Sequence, residues 1–136
     1  MAYSVISGDI ISSTSLSLED SKLVEENLKI LLQDLKTIFN AYGRIIKGDY
    51  LECVVPNASE GLQVALAVKS FVKAIPIDVK KYKKEDNRLK QFKTHGIRLA
   101  IGYGELSRYN PEQGIIDGEA IYLSGREISG ESTYNK

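Results

Sequence analysis

Two aspartates stand in matching settings, Asp9 in Gly8-Asp9-Ile10 and Asp49 in Gly48-Asp49-Tyr50. Carboxylates brought side by side suit a hard divalent cation, because magnesium is typically held by one or two carboxylates plus substrate phosphates. Two ions on such a pair can activate one oxygen and stabilise the leaving oxygen in phosphoryl transfer. Gly-Asp is also ordinary turn chemistry, so spacing by itself leaves both readings open. Other reactive groups carry less. His95 is the only histidine and has no Ser or Cys motif around it. Cys53, the only cysteine, lies in an alternating run without an activating neighbour and reads as a small core residue. Gly102-Tyr103-Gly104 reads as a strand twist or bulge rather than a phosphate cradle. Residues 80–93 hold seven basic and two acidic side chains. Without an aromatic platform, they read as a solvated excursion before a phosphate-binding patch.

The elements that must position these groups follow from periodicity. Residues 2–11 read as a strand ending in an acidic turn, and a polar link follows. Ser17 caps a helix, with Asp20 three residues on. Val24, Leu28, Leu31, Leu35, Ile38 and Tyr42 recur at spacings of four and three, one face of a helix that Gly43 ends as a left-handed cap. Residues 44–47 and 50–55 read as two strands joined by a tight hairpin at Gly48-Asp49. After Pro56, Asn57 and Glu60 cap a second helix with Leu62, Leu66, Val68, Val72 and Ile75 on its apolar side, closed by Pro76. Residues 96–103 form a strand, with 105–107 as its continuation. Residues 114–118 form a turn or short strand, and residues 120–128 a last helix. The core order is strand, helix, hairpin, helix, strand. It predicts an α+β, ferredoxin-like βαββαβ fold with both helices on one face of a mainly antiparallel sheet. The other face of such a sheet is expected to stay open for a partner or ligand.

Composition bounds the function classes. The 136 residues hold 18 basic and 18 acidic side chains, with 43% hydrophobic and 26% charged residues. This is one domain's worth of chain, able to bury a core without staples. A single cysteine excludes an intrachain disulfide framework. Zero formal net charge argues against a sequence-independent nucleic-acid binder. The apolar runs are too short to span a bilayer, and residues 1–15 lack a signal peptide's basic start and long apolar stretch. A cytoplasmic setting is the expectation.

Three short motifs in order carry a resemblance. Asp9-Ile10 followed by Ser13-Thr14 resembles the acidic segment that opens class III nucleotidyl cyclase domains. Lys47-Gly48-Asp49-Tyr50 resembles their metal-binding hairpin, and Asp117-Gly118-Glu119-Ala120 with Arg126 resembles their late segment of transition-state residues. The small bacterial cyclase-like proteins of the SatD type look closest, with a similar opening, hairpin and late segment. The resemblance implies a nucleoside triphosphate as ligand and Mg2+ or Mn2+ as cofactor. Asp9, Asp49 and the backbone carbonyl of Ile10 would be the metal ligands. Arg126 would face the triphosphate, where its planar fork can pair two phosphate oxygens. Lys47 either reaches phosphate or base, or neutralises Asp49. Class III cyclases pair head to tail, so a homodimer is implied; from charge and apolar-run length, no membrane partner is expected and no nucleic acid through this domain alone.

The chain departs from the pattern at three positions. Tyr122 stands where cyclases place an asparagine, Ile45 where a lysine reads the purine, and Ile115 where its acidic partner stands. The resemblance also implies strands beyond Arg126, so residues 1–136 are expected to form a single cyclase-like domain truncated at its C-terminal end. Three functions compete: two-metal chemistry on a nucleoside triphosphate, a non-catalytic nucleotide or metal sensor, and a dimerisation module for an output domain.

Overall fold

The computed structural model describes residues 2–11, 17–46, 50–76 and 96–128. Lys47, Gly48, Asp49, Ser13-Thr14, the basic 77–93 segment, His95 and residues 129–136 lie outside the described residues. Strand β1 (Ala2–Ile10) leads to helix α1 (Leu18–Phe39), then strands β2 (Tyr42–Ile46) and β3 (Tyr50–Val55). A 3-10 turn (Ala58–Glu60) opens helix α2 (Gly61–Ala74). Strand β4 (Ile97–Glu105), the short pair β5 (Arg108–Asn110) and β6 (Ile115–Asp117), and helix α3 (Glu119–Ile128) complete the order. The main sheet runs β2-β3-β1-β4, antiparallel throughout, which is the expected ferredoxin-like arrangement.

Alternation along β1 assigns each residue to a face. Ile6 and Ile10 join Leu51, Cys53, Val55 and Ile97 beneath α1 and α2. Val24, Leu28, Leu31 and Leu35 of α1 are buried there, as the spacing predicts. The expected helix end is not. Asn40 caps α1 in the left-handed region at φ 55°, Tyr42 begins β2, and Ile38 is exposed. Asparagine tolerates that conformation, so Gly43 is not needed for it. On α2 the expected Val68, Val72 and Ile75 are buried, but Val64 and Ala65 complete the inward face, whereas Leu62 and Leu66 are exposed.

The second face is not left open along its whole length. Val5 and Val54 pack with Ala120 of α3. The Ser7 hydroxyl donates to Ser124 Oγ at 2.8 Å, both fully buried, and Ser124 Oγ donates to the Ile121 carbonyl at 3.2 Å. Gly102 permits this close approach. A Cβ there would run into the Ala120 carbonyl oxygen and lie 2.7 Å from Ser124 N. Gly118 supplies the turn into α3 at φ 138°, a conformation L side chains rarely adopt. Beyond α3, Arg44 pairs with Glu52 through Nε at 2.9 Å and Nη2 at 2.8 Å, while its Nη1 donates to the Gly114 carbonyl at 2.6 Å. That clamp holds the β5–β6 connection against the same face, where Tyr109 packs edge-on to Tyr3 at 5.4 Å. No helix among the described residues is long and apolar enough to cross a membrane.

Candidate functional site

Past the edge of α3, the second face of the sheet turns polar around Asp9. Register decides its neighbours: Asp9 pairs across the sheet with Tyr50 of β3 on one side and Arg98 of β4 on the other. Arg98 grips the carboxylate with both arms of its fork, Nε to Oδ1 at 2.9 Å and Nη2 to Oδ2 at 2.6 Å. The side chains are 31% exposed for Asp9 and 59% for Arg98, so the pair is open to solvent. Donating hydrogen bonds to Asp9 raises the Arg98 guanidinium above its ordinary value, against a smaller opposing effect of burial. It therefore stays charged at every working pH.

Tyr50 closes the other flank. Burial pushes its phenol up. A hydrogen bond with Ser7 lowers it, and the charges of Glu52 and Asp9 push it up further. Asp9 thus stands between a neutral phenol and a fixed guanidinium. Sequence reasoning missed Arg98 and Tyr50 as neighbours of Asp9. An arginine between Ile97 and Leu99 in an alternating strand was the available signal, but its partner depends on a register that one strand does not reveal.

The Ile10 side chain is buried in the helix-side core, so only its backbone carbonyl is available as a ligand atom. Arg126 is exposed on α3, on the side away from the buried Ser124 and Ile128. Tyr122, one turn earlier, donates its hydroxyl to Asp117 Oδ1 at 2.6 Å, and that bond is the main cause of its raised phenol pKa. Ile45 packs against the helix-side core, on the opposite face from Asp9. Ile115 is half-buried in β6. Lys47 and Asp49 lie outside the described residues, so Asp9 and Asp49 are not brought together here by observation.

Asp9 fits a hard divalent cation by donor chemistry, since it is a solvent-reachable carboxylate whose oxygens keep lone pairs beyond those Arg98 uses. Among the described residues no group of three or more His, Cys, Asp or Glu side chains is arranged to hold a metal. Arg98 occupies both oxygens and competes for them.

Cys53 is the small core residue its strand pattern implies, fully buried, with its thiol pushed by burial from 9.0 up to about 12. It is therefore no nucleophile in the native state. Tyr109 is likewise pushed by burial from 10.0 to about 12. The native state holds both protons where the unfolded chain would release them. These two groups therefore add no pH dependence to stability below about pH 9 and lower it as pH rises from there toward 12. Cys53 contributes a slope approaching ~1.4 kcal/mol per pH unit in that window. Urea midpoints measured between pH 7 and 11 should be flat to about pH 9 and then decline, and Cys53→Ala should move the onset up toward the tyrosine range. An onset unmoved by that substitution would show that Cys53 does not govern it.

No protein-family model matches the chain, and no curated protein matches it. Solved structures do. The adenylyl cyclase CyaB from P. aeruginosa superposes with a TM-score of 0.63 at 15% identity, over 94% of this chain and 71% of that one. An adenylate cyclase from Trypanosoma brucei in its monomeric state gives 0.65 at 16% identity, over 95% and 69%. The adenylate/guanylate cyclase/hydrolase from Silicibacter pomeroyi gives 0.57 at 15% identity, over 93% and 68%. At this identity the likeness is one of fold: the chain is similar to nucleotidyl cyclase domains in the path of its backbone.

Proposed function

We propose that the chain is a nucleoside-triphosphate-binding, cyclase-like domain of a signalling or regulatory protein, related most nearly to the SatD type, which acts as a homodimer. One observation carries the reading: Asp9 pairs with Tyr50 across the two central strands of a cyclase-type sheet. Asp49 immediately precedes Tyr50 in the sequence. Asp9, Asp49 and the Ile10 carbonyl would hold Mg2+ or Mn2+. When bound, such ions would polarise a phosphoryl oxygen and neutralise charge on the leaving group.

The chain's own residues have distinct tasks. Asp9 is held in place by the sheet and presents partly exposed carboxylate oxygens near the end of a central strand. Lys47 would add positive charge, toward phosphate or toward Asp49. Arg126, on the outer side of α3, would reach the site of a second copy rather than its own. There its fork would meet negative charge that builds during transfer.

A second reading, a non-catalytic sensor or dimerisation module, is favoured by two observations. Ile45 is committed to the core, so that position reads no base. Tyr122 is tied to Asp117 where the resemblance expects an asparagine.

Incubation with each nucleoside triphosphate plus magnesium or manganese, followed by chromatography, separates the readings. A cyclic or cleaved product supports catalysis. Metal-dependent binding without product supports the sensor. The shared-site geometry has its own test. Asp49→Asn and Arg126→Ala should each be inactive or weak in nucleotide binding, while their mixture should regain part of the lost signal through heterodimers. No recovery from well-mixed dimers, or a protein monomeric at tens of micromolar, would remove the shared-site model.

A further inference from the structure

We infer that Arg98 is a resident counter-cation of Asp9, competing with a divalent ion for the same two oxygens and so lowering the metal affinity of the site. The inference rests on Asp9 being a metal ligand, as proposed above, and adds what regulates it.

The pair is built into the sheet. Asp9 and Arg98 are directly opposed in the β1–β4 register, so the guanidinium is delivered to the carboxylate by backbone pairing. Cross-strand partners on one face lie close enough for side chains to meet without loop movement. Both nitrogens of the fork engage, at 2.9 and 2.6 Å, and both carboxylate oxygens are taken. Charge-assisted, bidentate pairs of this kind are the strong ones. A divalent ion binding at 2.0–2.6 Å needs an oxygen of the same carboxylate. Either the guanidinium leaves, losing its hydrogen bonds, or it stays and repels the incoming ion. In both cases the free energy of metal binding is reduced.

The other nearby charges do not substitute for it. Arg44 is committed to Glu52 and the Gly114 carbonyl. Glu52 is therefore already ion-paired, and Tyr50 is an uncharged phenol with its titration pushed upward. Lys69 reaches β4 as well, but donates to the Ile97 carbonyl at 2.8 Å. Among these groups, only Arg98 brings a cation onto Asp9.

Manganese alone is the probe, titrated into the full 136-residue protein and followed by the electron paramagnetic resonance of the free ion. Circular dichroism checks each variant's fold. Arg98→Gln should bind Mn2+ roughly 3- to 10-fold more tightly than the wild type, the gain from removing a partly exposed bidentate competitor. Arg98→Lys keeps the charge without the fork and should fall between them. A merely structural arginine would give no tightening. Affinity unchanged or weakened in both Arg98 variants, with binding still lost in Asp9→Asn, overturns the inference and leaves the metal site standing. Binding unchanged in Asp9→Asn overturns the metal site itself, and the inference with it.

Discussion

Asp9→Asn is expected to weaken Mn2+ binding by at least ~100-fold, more than the 10- to 100-fold typical of losing a partner outside the ligand set. Turnover of any nucleoside triphosphate substrate should fall with it. Stability should hardly change. The substitution removes one partner of a bidentate ion pair in which Arg98 is mostly exposed, so solvent screening holds the loss to about 1 kcal/mol. Asparagine is nearly isosteric, and the backbone pairing of Asp9 with Tyr50 and Arg98 does not involve its side chain. The separation of the two effects is the point. A structural aspartate would change the urea midpoint as much as it changed ligand binding. The measurements are a Mn2+ titration and a urea denaturation on the same preparation. Wild-type affinity in the variant would remove Asp9 from the metal site.

Gly102→Val should destabilise the protein by about 3–5 kcal/mol, combining overpacking with a buried hydroxyl left without its partner. The atoms in the way are the Ala120 carbonyl oxygen and the Ser124 nitrogen, both backbone atoms of α3. No side chain can rotate to make room, so the helix itself must lift. Lifting it breaks the Ser7–Ser124 hydrogen bond in the dry interface and exposes Val5 and Val54. Against a typical net stability of about 5–15 kcal/mol, that is a large fraction. Gly125 supplies the control. A Cβ there meets nothing within 4 Å, so Gly125→Ala should stabilise α3 by about 0.5–1 kcal/mol through helix propensity. Two glycine substitutions in contact with one helix should thus shift the urea midpoint in opposite directions. A Gly102→Val protein as stable as the wild type would mean that α3 does not sit against β4 as described.

Much of this architecture follows from local pattern. The strand at 50–55, the inward Cys53, the stripe from Val24 to Leu35 and the Ser17 cap are properties of alternation, helical spacing and side-chain chemistry. None needs a distant residue, because each is decided by which neighbours lie on one side of the element. Their order then leaves few ways to arrange four strands and two helices, which is why the sheet order follows. The Gly-Asp settings of Asp9 and Asp49 were legible for the same reason.

Tertiary packing decided what local pattern left degenerate. Helix α2 carries apolar residues on two sides, and periodicity alone favoured the larger Leu62 and Leu66. The close approach to the sheet kept the expected Val68 and Val72 and selected Val64 and Ala65 in place of the two leucines, since small and branched side chains let the backbone come nearer. Asn40, rather than Gly43, ended α1 because the chain had to turn early enough to give β2 five paired residues. The seating of α3 on the second face depended on Gly102 lying opposite Val5, a relation between strands far apart in sequence. The same holds for Asp9. Its identity as a carboxylate at a strand end is written in the chain, but its partner is not. A register shifted by one residue would have turned Arg98 to the other face, and only the folded sheet brings that guanidinium onto the carboxylate.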